Sequence, residues 1–137
     1  MSEGIGDPVP AALPAGVHRL RSKEPTSAVA EGLERAGWSV RVVDLADAAD
    51  KAAIMERFVD GLALPAWFGR NWDALSDSLR DLGWWAPGRR GRVIVVRGSG
   101  RTDTGTDADR TTLAELLEEA AASWAPTATP LVVLLRR

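Results

Sequence analysis

Two apolar runs, Arg92 to Arg97 (RVIVVR) and Leu131 to Leu135 (LVVLL), restrict the folds open to this chain more than any other feature. A half-exposed strand alternates apolar and polar residues; these runs have no polar side to turn to water, so each needs a cover on both faces. Trp38 to Leu45 is valine-rich and alternating, and also reads as a strand. Helical patterns lie between them. Pro25, Thr26 and Ser27 open a first helix with Val29, Leu33 and Ala36 on one side, ended by Gly37. A second follows a candidate cap at Asp47, with Met55, Phe58, Val59 and Leu62 as its apolar face. A third runs from about Arg110 to Trp124 through Leu113, Leu116 and Leu117, until Pro126 and Pro130 break it. Strands separated by helices imply an α/β domain with a mainly parallel sheet and helices packed on it. The pattern leaves the strand order open.

The 137 residues make one ordinary domain. Residues 1 to about 15 are rich in Pro, Gly and Ala and read as a loose, flexible tail; Val17 to Leu20 reads as a short first strand. A net charge of −2 and a pI of about 5.4 argue against a general nucleic-acid binder, which needs a basic surface to neutralise phosphates. A local acidic patch would instead suit a basic partner. With no cysteine there is neither a disulfide framework nor a thiolate metal site, which fits a reducing compartment. No apolar stretch approaches a membrane span, and the first residues lack the basic-then-apolar pattern of a signal peptide, so the cytoplasm is the expected location.

The stretch from Leu64 to Leu82, LPAWFGRNWDALSDSLRDL, reads as a rigid turn feeding a short helix. Pro65 fixes the approach, Gly69 is expected to supply a conformation other residues enter reluctantly, and Asn71 stands where an N-cap would. Trp72, Leu75, Leu79 and Leu82 share one side of that helix, with Asp73, Asp77 and Asp81 nearly opposite. Like charges four apart cost roughly 0.2–0.5 kcal/mol per pair, too little to distinguish a solvated outer face from a binding surface. Trp67 before the helix and Trp84 and Trp85 after it place flat anchors at both ends of the acidic ridge, as in an interface hot spot, although tryptophans are also ordinary core residues.

Pro65, Trp67, Phe68, Gly69, Asn71, Asp73, Ala74, Leu75 and Asp77 resemble the P-x-[aromatic]-[aromatic]-G-x-N-x-D-A-L-x-D signature of the barstar family, intracellular inhibitors of secreted barnase-type ribonucleases. The match is tight over about twenty residues and continues loosely from Trp38 onward. The resemblance implies a barstar-like, small three-layer domain with a three-stranded parallel sheet from 38–45, 92–97 and 131–135. Residues 16–137 would form it, with 38–137 as the core and 16–37 as an N-terminal strand and helix added to it, a candidate fourth strand. It further implies one-to-one inhibition of a small, basic, guanyl-preferring ribonuclease by a protein that is monomeric when free. Asp77 would enter the phosphate pocket, Asp73 would pair with neighbouring cations, Trp67 would pack over the cleft, and Gly69 and Asn71 would bring the turn close. Trp84 or Trp85 would add a flanking aromatic contact, and Glu119 or Glu118 an acidic one. Two positions depart from the family: Ser76 stands where barstar has a tryptophan, and Arg70 replaces an acidic residue.

Nothing in the sequence assembles a catalytic mechanism, so no catalytic residue, cofactor or metal is expected. His18 is a single imidazole without a partner. Gly98-Ser99-Gly100 lacks the phosphate-loop lysine. Asp103, Asp107 and Asp109 lack the spacing and terminal glutamate of a calcium loop. Besides an inhibitor, two alternatives remain: a barstar-like module that binds some other basic protein, and an enzyme using a cleft at the 98–109 loop.

Overall fold

The computed structural model describes residues 4–98 and 104–137. Five strands, β1 (Ile5–Gly6), β2 (Gly16–Arg21), β3 (Trp38–Asp44), β4 (Gly91–Arg97) and β5 (Leu131–Arg136), form one sheet in the order β1-β2-β5-β4-β3. Every neighbouring pair is parallel. Four helices, α1 (Thr26–Ala36), α2 (Lys51–Leu62), α3 (Trp72–Asp81) and α4 (Asp107–Trp124), cover its two faces. The apolar runs lie at the centre as β4 and β5. Val93, Val95, Val132 and Leu134 point to the layer of Val29 and Leu33 on α1. Ile94, Val96, Leu131 and Val133 point to the larger core built by Ile54, Phe58 and Leu62 of α2, Leu75 and Leu79 of α3, and Leu117 of α4.

The sheet has five strands where three or four are expected, and the extra one is β1. Residues 4–15, expected as a loose tail, are laid against the domain. β1 pairs with β2, Leu13 is buried, and the Trp38 indole Nε1 donates to the Ala11 carbonyl at 2.7 Å. The Asp7 carboxylate accepts from the Ser22 hydroxyl at 2.5 Å and the Lys23 amide at 2.7 Å. Those two bonds, the hydroxyl first, hold its pKa below the ordinary aspartate value. A two-residue strand carries no alternation to read, and its tethers sit fifteen residues away.

Two boundaries and one turn conformation also differ. The cap of α2 is Asp50, whose side chain accepts from the Ala53 amide; Asp47 lies in a left-handed turn (φ 65°) instead. α4 begins at Asp107, because Thr106 and Asp109 form a reciprocal capping box three residues ahead of the expected start. Gly69 is not left-handed; the residue that enters that region is Arg70 (φ 53°). α1 follows its sequence pattern, ending at Gly37 with φ 111°.

Candidate partner-binding face

α3 starts where the sequence places it. Asn71 is extended, and its Oδ1 accepts from the Ala74 amide at 2.7 Å, closing one of the free amides of the first turn. Leu75, Leu79 and Leu82 are fully buried, and Trp72 packs partly buried against the same core. This fixes the rotation of the helix, and Asp73, Asp77 and Asp81 therefore all stand exposed on its outer side. Among the described residues none of the three takes part in an ion pair. Other exposed carboxylates do: Glu56 with Arg70 at 2.5 Å, Glu119 with Arg80 at 3.2 Å and Asp44 with Arg97 at 2.7 Å.

The turn ahead of the helix presents Trp67, which is 72% exposed and is the one exposed large hydrophobic side chain among the described residues. Its neighbour Phe68 is turned inward at 4%. The turn is thus held by one aromatic and offers the other to solvent. Arg70 does not project over the ridge unopposed, since Glu56 of α2 neutralises it. Gly69 and Asn71 are exposed beside Trp67, with Asn71 Nδ2 donating to the Gly69 carbonyl at 3.3 Å.

Beyond the helix the two candidate tryptophans separate. Trp85 is 2% exposed, with its Nε1 donating to Ser39 Oγ at 2.7 Å, so it belongs to the core. Trp84 is half-buried, its Nε1 donating to the Leu62 carbonyl at 3.0 Å, and it alone of the pair keeps surface for a partner. Glu118 and Glu119 are both exposed on α4, but only Glu119 faces α3, through its Arg80 pair. A shallow groove of about 170 Å³ runs between the two helices, lined by Trp72, Asp73, Ser76, Thr112, Glu115 and Glu119. The structure therefore brings Asp73, Ser76 and Glu119 together across one groove and leaves Asp77 beside it on the same helix. Thr112 and Glu115 were not expected here. They lie about forty residues downstream of the α3 residues that line the same groove, and only the spacing of Glu115 and Glu119, one helical turn apart, marks them as sharing a face.

The other chemistry-bearing stretches are accounted for structurally. His18 Nε2 lies 2.9 Å and 3.1 Å from the carbonyls of Pro14 and Ala15. Asp109 is engaged in the α4 cap, and Asp107 pairs with Arg110. Ser99, Gly100 and Asp103 lie outside the described residues. No cluster of potential metal ligands occurs among the described residues, and no described helix is long and apolar enough to cross a membrane.

A family model described as Barstar (barnase inhibitor) matches residues 38–136, which spans β3 through β5 and includes α2, α3 and α4. No curated protein matches the chain. The matched region holds the whole acidic face, and β1, β2 and α1 lie ahead of it. With close to three quarters of its length matched, α/β in class and carrying the exposed signature helix, the chain belongs to the barstar family, whose members are inhibitors rather than enzymes.

Proposed function

We propose that this protein, a monomer when free, inhibits a small, basic, guanyl-preferring ribonuclease of the barnase type in the cytoplasm by forming a one-to-one complex with it. The observation that carries the reading is the juxtaposition of Trp67, 72% exposed, with a helix whose exposed carboxylates find no ion-pair partner among the described residues. A ribonuclease must gather cationic groups around the scissile phosphate. A carboxylate held on a rigid helix can occupy that site while offering no bond to cleave. Asp77 takes the phosphate position, Asp73 and Glu119 meet cations at its border, Trp67 covers the cleft, and Trp84 adds a flanking contact. Ser76 faces the partner with a small hydroxyl, and Gly69 and Asn71 let the turn's backbone come close.

The test is a titration of the purified protein against a panel of small secreted guanyl-preferring ribonucleases, with Asp77→Ala and Asp73→Ala alongside. Tight stoichiometric inhibition is expected. Asp77→Ala should speed dissociation, because it leaves buried enzyme cations unpaired. Asp73→Ala should mainly slow association and flatten its salt dependence. Inhibition that survives Asp77→Ala would reject the site while keeping the activity.

A second reading is favoured by one feature. The groove at Ser76, where the family has a tryptophan, is shaped for a different contact, which suits a barstar-like module for another basic protein. Failure of a folded sample to inhibit any enzyme in the panel would favour it.

A further inference from the structure

The end of α3 is held by side chains from outside the helix. Its C-cap, Leu82, is a left-handed residue (φ 53°) with a side chain, and no glycine relieves that turn. Side chains from elsewhere in the fold reach its last carbonyls, one of which, Leu82 O, also accepts from the Trp85 amide at 3.0 Å. Trp124 of α4 donates its Nε1 to Leu79 O at 2.8 Å, and Arg92 of β4 donates Nη2 to Leu82 O at 3.3 Å. The same guanidinium donates Nε to Trp85 O at 2.8 Å. Its central carbon lies 4.9 Å from the Trp124 ring centre and 5.8 Å from that of Trp85.

Arg92 is only 6% exposed and, among the described residues, pairs with no carboxylate. Burial holds its pKa below the ordinary arginine value. Its charge is offset instead by two ring faces and by the negative end of α3. A buried cation is a poor device for stability alone, since apolar replacements of buried charges are often neutral or better. What arginine supplies here is geometry: a planar fork that reaches two carbonyls while stacking on two rings, which lysine cannot reproduce.

From this geometry we infer that Arg92 is a positioning residue for the acidic face. It ties the C-terminal end of α3 to the sheet and so fixes where Asp73 and Asp77 stand. The inference rests on the reading of that face as the ribonuclease-binding site.

The test uses the full chain carrying Arg92→Lys, which keeps the charge and loses the fork. Dissociation from whichever panel ribonuclease the wild-type protein inhibits should accelerate about tenfold, with association rate and its salt dependence unchanged. In the free protein, amide exchange at Leu79 to Leu82 should quicken by roughly tenfold relative to the amides of α1. Trp124→Phe, which keeps the stacked ring and loses only the Leu79 bond, is the milder variant should Arg92→Lys not fold; it should shift both readouts in the same direction. A purely structural role would lower the melting temperature yet leave folded molecules dissociating at the wild-type rate, and that result overturns the inference. Unchanged exchange at the end of α3 overturns it as well. If the wild-type protein inhibits none of the enzymes, the ribonuclease reading fails, while the anchoring of α3 still stands or falls on the exchange data.

Discussion

Gly69 and Gly61 show how differently two glycines can be used within one short stretch. A Cβ on Gly61 of α2 would collide with the Val42 carbonyl oxygen and sit 2.9 Å from Val43 Cγ2, because helix and strand meet there without room for a side chain. Helix propensity alone favours alanine by roughly 1 kcal/mol. Overpacking against a backbone atom costs about 1–3 kcal/mol and should win, so Gly61→Ala is expected to lower the midpoint of chemical denaturation. A stabilised variant would refute the close approach. At Gly69 a Cβ would meet Ala74 Cβ and Asn71 Nδ2 at 3.4 Å, ordinary contact, and the backbone is not left-handed. Gly69→Ala should therefore change stability by no more than about 0.5 kcal/mol. Any weakening of inhibition it causes then reports on the partner's approach and not on folding. The sequence marks Gly69 as special but assigns the strained conformation to it, when Arg70 carries the positive φ. Arginine is not a residue that propensity would place there, and its Glu56 partner, fourteen positions away, is visible only in three dimensions.

Elements with a strong period are legible from sequence: α1, α3 and the three long valine-rich strands fall within a residue or two of expectation. Their apolar faces fix them, and the rotation of α3 that exposes Asp73 and Asp77 follows directly from Leu75 and Leu79. The groove beside them is different, since it needs α4, and no local pattern states that α3 and α4 are neighbours. β1 is the least legible element, for its two residues carry no stripe to read, and besides the packing of Ile5, Val9 and Leu13 the segment is tethered by the Asp7 carboxylate. That carboxylate makes its attachment depend on pH. The folded pKa of Asp7 lies below 3.8, the ordinary value. Its contribution is thus fully present above the unfolded value and is lost as pH falls through the folded one. Loss of amide protection over Ile5 to Leu13, with loss of the Trp38 indole bond to Ala11, is expected in strongly acidic solution, measured by hydrogen exchange. Asp7→Asn should loosen the same segment already at neutral pH. A segment that stays protected under both conditions would show that Leu13 and the Trp38 bond suffice to hold it.

For the molecule as a whole, the class and family are legible because they rest on contiguous features, the two apolar runs and the signature helix. Strand order is not, because β2 finds its partner across most of the chain: Gly16 pairs with Val132 and Arg19 with Leu135. Arg136 completes the connection by donating to the carbonyls of Ser22 and Glu24 at 3.1 Å and 2.6 Å. The matched region, β3 through β5, thereby has its β5 edge covered by strands that lie outside the match. This topology also dictates an order of events in time. On the ribosome β2 emerges well ahead of β5, the strand that joins it to β4 and is synthesised more than a hundred residues later, and the entropy of closing so long a loop is spent in that one step. β2 is therefore made early and joined late, and until then the nascent chain carries two unpaired strand edges past whatever else the cell contains.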